Sequence, residues 1–235
     1  VVLVPARRLD PEWIDREGNA PEDLAAALAD IRAVNRLLGG RRVVVDAIAP
    51  YLRAAPRDAV LRILDVGTGS ADVPIAIAKA ASRMGRRVEI VAIDRDPATV
   101  ELARRAASGH PAIRVLRADA FAPGFPDGSF DLVVASMVLH HFPHDDAVRF
   151  VEVMRRLARR AVLVNDLRRH ALAWAFIALA ARLTWRHPMF VHDAPLSVLR
   201  GFTDRELARI AEDAGASGAT VVRRWPYRLL LTVPA

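Results

Sequence analysis

Two aspartates and two glycines crowd into ILDVGTGSADVP, residues 63–74, where an apolar run ends and a helical pattern begins. Gly67 and Gly69 lack side chains, so the backbone there can bend in ways other residues resist and let a ligand approach closely. A dinucleotide fingerprint, G-x-G-x-x-G, would put a third glycine at 72, but that position is Asp72. A carboxylate at a helix start opposes a pyrophosphate, and Asp65 ahead of the glycines adds to the repulsion. The lysine of a G-x-x-x-x-G-K-[ST] phosphate loop is also missing. These acids suit a ligand that is positively charged at this point. Further along stand His140-His141 and His192-Asp193; imidazole titrates in the range where a general base is useful.

The elements that must position these residues are legible from periodicity. Residues 21–57 repeat apolar positions at spacings of three and four (Leu24, Leu28, Ile31, Val34, Leu37, Leu38), broken at Gly39-Gly40. From Leu61 short β-branched runs alternate with helical stretches, with strands read at 61–66, 88–93, 112–117, 130–135 and 160–165 and helices at 73–84, 97–107 and 145–158. Such alternation implies parallel strands with right-handed helical crossovers. The ending ATVVRRWPYRLLLTVPA supplies two strands, 219–224 and 228–233, too close together for anything but an antiparallel pair. After a helical cap at 1–58, residues 59–235 form the main domain, with an insertion at about 168–203. The first half of that insertion is an apolar helix. Its second half, with Pro188 and Pro195, reads as a long loop of the kind that serves as a lid.

S-adenosylmethionine carries an ammonium beside a sulfonium and has no phosphate, so it meets the requirement set by Asp65 and Asp72. LDVGTGSA also resembles the first motif of class I S-adenosylmethionine-dependent methyltransferases, acidic-x-G-x-G-x-G, with Ala71 in place of the third glycine. Later motifs extend the likeness. In VEIVAIDRDP the family's ribose-binding acid matches Asp94, and in VLRADAF its adenine acceptor matches Asp119, with Ala120 and Phe121 beside the ring. GSFDLVVASMVLHHF matches the fourth-strand motif. The resemblance implies a Rossmann-like α/β fold: a seven-stranded sheet of five parallel strands plus a C-terminal antiparallel hairpin, flanked by helices. It implies a donor site of Asp65, Gly67, Thr68, Gly69, Asp72, Asp94, Arg95, Asp119, Ala120, Phe121 and Ser136. VNRLLGG, LHHF, VNDLRR and HDAPLSVLRGFT are similar to small-molecule methyltransferases encoded beside type III polyketide synthases and to the quinone-pathway methyltransferases.

Methyl transfer from a sulfonium is an in-line displacement in which holding the geometry supplies much of the acceleration. For a phenol or enol acceptor a base would help, and His141, His140 and His192 are the candidates, in that order. Arg168 and Arg169 could meet an acidic substrate group. Leu37, Leu38, Trp174, Phe176, Leu179, Trp185, Met189 and Phe190 make the expected cover apolar, which favours an aromatic or polyketide-like acceptor methylated on a phenolic oxygen. C-methylation of a quinol is the nearest alternative. The product would be S-adenosylhomocysteine.

Composition narrows the remaining classes. The chain has 235 residues, 53% hydrophobic, with no cysteine, which excludes a cysteine nucleophile and a thiolate metal site. With no run long enough to span a membrane and no signal-like start, a cytoplasmic monomer or homodimer is expected. The net charge of +7 would permit an RNA or DNA methyltransferase, but the arginines are scattered pairs and ASMVLHH lacks the Asn/Asp-Pro-Pro-aromatic motif that holds a flipped adenine. A non-catalytic donor-binding module is the other class left open. No metal is expected, because Asn165-Asp166 has the reverse order of the Asp-Asn pair in catechol-binding enzymes and no matching acid follows the fourth strand.

Overall fold

A computed structural model describes residues 4–16, 18–184 and 187–235; Trp185, one of the expected cover residues, lies outside them. Seven strands form one sheet: β1 (Val60–Val66), β2 (Arg87–Asp94), β3 (Ile113–Arg117), β4 (Phe130–Ser136), β5 (Ala158–Leu167), β6 (Thr220–Arg224) and β7 (Arg228–Pro234). Their order is β3-β2-β1-β4-β5-β7-β6. The first five run parallel, while β7 lies between β5 and β6 and is antiparallel to both. The order reverses between β1 and β4, so the ligand crevice opens beyond the carboxyl ends of those strands.

The central strands have helices on both faces, which is why VLRILDV and FDLVVAS are apolar almost throughout rather than alternating. On one face α2 (Gly40–Ala54) and α3 (Asp72–Arg83) set Val44, Ile48, Leu52 and Ile77 against Ile63, Ile90, Leu132 and Leu163. On the other, α5 (His144–Leu157) and α8 (Asp204–Asp213) cover Leu64, Val133, Val162 and Leu231 with Phe150, Met154, Leu207 and Ile210. Ile48 and Leu52 are completely covered. Each such side chain contributes roughly 1.5–3 kcal/mol, so α2 belongs to the sheet's core while α1 (Pro21–Leu37) reaches over the crevice. Helix starts follow local chemistry: Asp96 accepts the Thr99 amide at 2.7 Å to open α4 (Pro97–Ala107), and Thr203 with Glu206 forms a capping box on α8.

The second half of the insertion is not a loop. Residues 171–184 and 188–200 form a helical hairpin, α6 (Ala171–Thr184) and α7 (Pro188–Arg200). Pro188 occupies the first turn, where a missing N–H costs nothing. Pro195 sits inside α7 and deprives the Val191 carbonyl of its helical partner, yet the helix persists because tertiary contacts outweigh that loss. Met189, Phe190 and Val198 are buried, and the Asp193 carboxylate accepts the amides of Trp13 and Ile14 at 2.8 and 2.9 Å. Those amides belong to an N-terminal strap that crosses the crevice and makes a single 3-10 turn at Trp13–Asp15. No helix among the described residues is long and apolar enough to cross a membrane.

Candidate active site

The chain leaves β1 through Gly67 and Gly69, both left-handed at φ of 68° and 52°. A Cβ on Gly67 would stand 2.5 Å from Cγ2 of Val138, so no side chain fits there. Ala71 is also left-handed, at φ 57°, a conformation that costs a non-glycine residue roughly 1–2 kcal/mol. That geometry explains why the motif favours glycine at this position.

Beneath the turn, Asp65 is buried and its Oδ2 has no hydrogen-bond partner. Burial pushes its pKa up to about 7 against the lowering effect of Thr68, and the charges of Asp72 and Asp94 raise it further. Asp72 Oδ2 is likewise buried without a partner; burial raises this acid too, opposed by Arg41 and Arg32. Asp94 is better served, accepting the Gly69 amide at 3.0 Å and the Asp96 amide at 3.2 Å. Asp119 accepts the Phe121 amide at 2.8 Å.

These groups surround one cavity of about 1270 Å³. Gly67, Thr68, Gly69 and Asp72 line its floor, Asp94 and Arg95 one side, and Asp119, Ala120, Phe121 and Ser136 the wall beyond β3 and β4. Asp65 lies below the floor rather than on it. Of the expected apolar cover, Leu38 and Phe190 reach the cavity and Phe176 stands at its rim, 58% exposed, whereas Leu37, Trp174 and Leu179 are exposed to solvent and off its wall.

His140 and His141 face the cavity from the end of β4 with different partners. His140 is 1% exposed; its ring Nδ1 lies 2.7 Å from Asp166 Oδ1 and its amide donates to Asp166 Oδ2 at 3.1 Å. Burial would raise Asp166, yet the His140 ring and the amides of Leu167 and His140 outweigh it and keep the carboxylate ionised. Asp166 anchors the ring through Nδ1, and Nε2 on the other side lies 3.6 Å from Glu12 Oε1. His141 Nδ1 meets Asp15 Oδ2 of the strap at 2.7 Å. Burial alone would lower its pKa, but Glu12 and the bond and charge of Asp15 push it up to about 9. At neutral pH His141 is therefore a cation tethering the strap. The stability of that tether is fully present below the unfolded value of 6.5 and is lost as pH rises through about 9. Melting curves from pH 6 to 10 should show wild type losing Tm across that window while His141→Gln starts lower and stays flatter; parallel curves would refute the tether.

His192 is off the cavity wall. Its ring stacks on Trp13 with centroids 4.1 Å apart, and Nδ1 bonds Asp193 at 2.7 Å even though the two are sequence neighbours. Arg169 is buried and fully engaged with Pro5, Gly201 and Glu206, whereas Arg168 reaches the cavity. Asn165 and Asp166 go separate ways, Asn165 donating to Ser136 at 2.9 Å and Asp166 serving His140. Glu12, His140 and His141 bring three potential metal-ligand atoms within 4.8 Å. Arg200 Nε competes for the same Glu12 oxygen at 3.6 Å, and Ser197 donates to it at 2.8 Å, so that carboxylate already has a cation and a donor.

Glu12, Asp15, Asp166 and Arg200 escape a reading of the sequence. Arg200 donates to the carbonyls of His140, His141 and Asp10, but in the sequence it is one arginine among many. VNDLRR contained the only local hint, an acid closing an apolar strand.

Residues 63–161 match the family described as Methyltransferase domain. The chain is 35% identical over 116 residues to a demethylmenaquinone methyltransferase of Thermus thermophilus, covering 46% of this chain and 48% of that protein. It is 29% identical over 233 residues to an uncharacterized 37.1 kDa protein in a Streptomyces fradiae transposon, covering 94% of this chain and 62% of the relative. It thus spans less than two thirds of either relative's length. A SAM-dependent methyltransferase from Aquifex aeolicus superimposes with a TM-score of 0.62 at 16% identity, over 92% of this chain and 98% of that one, so the two share a fold.

Proposed function

We propose, for a chain whose residues 63–161 match the family described as Methyltransferase domain, that it transfers a methyl group from S-adenosylmethionine to a phenolic oxygen of a small apolar acceptor. The observation that carries this reading is the pair of buried, unpartnered carboxylate oxygens, Asp65 Oδ2 and Asp72 Oδ2, under and beside the glycine turn. Leaving such groups unsatisfied is costly; an ammonium placed over the turn would meet Asp72, which lines the cavity, with the Asp65 charge attracting it from below the floor. A diphosphate would meet repulsion there.

When bound, S-adenosylmethionine supplies a methyl group activated on sulfur. The residues of the chain do the rest. Asp94 can accept both hydroxyls of a vicinal diol, and Asp119 an exocyclic amine beside Phe121. Leu38 and Phe190 make the acceptor side apolar, with Phe176 at its open rim. His140 is the better-placed base, its ring held by Asp166 at Nδ1 with Nε2 towards Glu12 Oε1 at 3.6 Å, while His141 is already protonated.

The similarity to a demethylmenaquinone methyltransferase favours a second reading, methylation of a quinol ring carbon. Incubating the purified chain with methyl-labelled S-adenosylmethionine and separate panels of phenols, quinols and RNA decides among these. Label on phenolic oxygen supports the first reading and label on a ring carbon the second. Label on RNA, or no calorimetric response to the donor or to S-adenosylhomocysteine, overturns both.

A further inference from the structure

The bulkiest of the fully buried side chains is a cation, Arg228, the first residue of β7. Its guanidinium is poorly served. One arm donates to the Met137 thioether at 3.0 Å, a weak acceptor, another to Asn35 Oδ1 at 3.0 Å, and Nε has no partner at all. Among the described residues no carboxylate comes within ion-pairing distance. Burial lowers its pKa to about 10, with Asp166 and Asp72 holding it up from a distance, so it remains charged at neutral pH. Such a group costs folding free energy unless something compensates it.

The surroundings are built to admit this side chain. Helix α2 begins with Gly40, where an added Cβ would stand 2.9 Å from Arg228 Cζ and 2.6 Å from Asn35 Oδ1. Four elements thus converge on the guanidinium: α1 through Asn35, α2 through Gly40, the end of β4 through Met137, and β7. Arg228, Asn35 and Met137 all line the large cavity.

We propose that Arg228 is the anion-binding post of this cavity and takes the carboxylate of a bound small molecule. The planar guanidinium matches a carboxylate with two parallel hydrogen bonds. This inference rests on the methyltransferase reading, under which two sources exist: the α-carboxylate of the donor, whose ammonium would face Asp65 and Asp72, and a carboxylate on the acceptor.

Calorimetry on the whole chain tests this with two ligand pairs. One is S-adenosylmethionine against its decarboxylated form, which keeps the ammonium and sulfonium. The other is 4-hydroxybenzoate against 4-hydroxybenzamide, with S-adenosylhomocysteine saturating. Wild type should prefer the carboxylate member of at least one pair by about tenfold or more, the value of a hydrogen bond to a charged group. Arg228→Gln should abolish that preference and Arg228→Lys retain part of it, without weakening the carboxylate-free partner. Preference in the first pair assigns the post to the donor, and in the second to the acceptor. No preference by wild type in either pair overturns the proposal without any variant, as does an Arg228→Gln protein that discriminates like wild type. Failure of wild type to bind any donor form would instead overturn the methyltransferase reading.

Discussion

An Asp65→Asn variant should bind S-adenosylhomocysteine about 10–100-fold more weakly than wild type at pH 8, because the negative charge beneath the ammonium is lost, an effect comparable to one charge-assisted hydrogen bond. The same substitution should remove a pH dependence. Burial holds the Asp65 proton up to about pH 7, and the carboxyl must release it to pair with an ammonium. Wild-type affinity therefore rises with pH through about 7 and levels off above, whereas the variant stays flat. Stability should move in the opposite direction. The folded pKa lies above the ordinary 3.8, so the cost of burying the charge is absent below that value and grows until about pH 7. At pH 8 the ligand-free variant should accordingly melt higher than wild type. Calorimetry at pH 6, 7 and 8 with matched melts checks both effects, and unchanged affinity at pH 8 would remove Asp65 from the donor site.

His140→Gln should lower kcat by about 10²–10⁴-fold, the usual contribution of a positioned general base, and leave S-adenosylhomocysteine affinity near wild type. The choice of His140 over His141 follows from their carboxylates. Asp166 fixes the orientation of the His140 ring through Nδ1, with Nε2 3.6 Å from Glu12 Oε1, whereas Glu12 and Asp15 keep His141 protonated up to about pH 9, which disqualifies it as a base near neutrality. Asp166→Asn should reduce kcat too, as a positioning change, and shift the acid limb of the pH–rate profile. His141→Gln should spare kcat and act on stability. Single-turnover rates on the acceptor found by the labelling panel provide the test. A His140→Gln enzyme with normal kcat, or one that loses donor affinity in equal measure, would exclude His140 as the base.

Local pattern was enough to determine the framework. The seven strands, the glycine turn and the order of Asp65, Asp72, Asp94 and Asp119 could be read because alternation, turn chemistry and strand-end position are encoded in neighbouring residues. The expectation of a cationic ligand rather than a pyrophosphate likewise rested on neighbours, Asp65 ahead of the glycines and Asp72 at a helix start. The second helix of the insertion could not be read the same way. Pro188 and Pro195 argue locally for a loop, and only the packing of Met189, Phe190 and Val198 and the grip of Asp193 on the strap make a helix there. The different partners of His140 and His141 were hidden for a related reason. The two rings are adjacent in sequence, but Asp166 lies 26 residues from the first and Asp15 lies 126 from the second. Arg228 and Asn35 meet across 193 residues. Charge state and hydrogen-bond direction depend on what the returning chain brings into contact and on how much water it displaces, so they were decided only when strap, helical hairpin and sheet closed around one cavity.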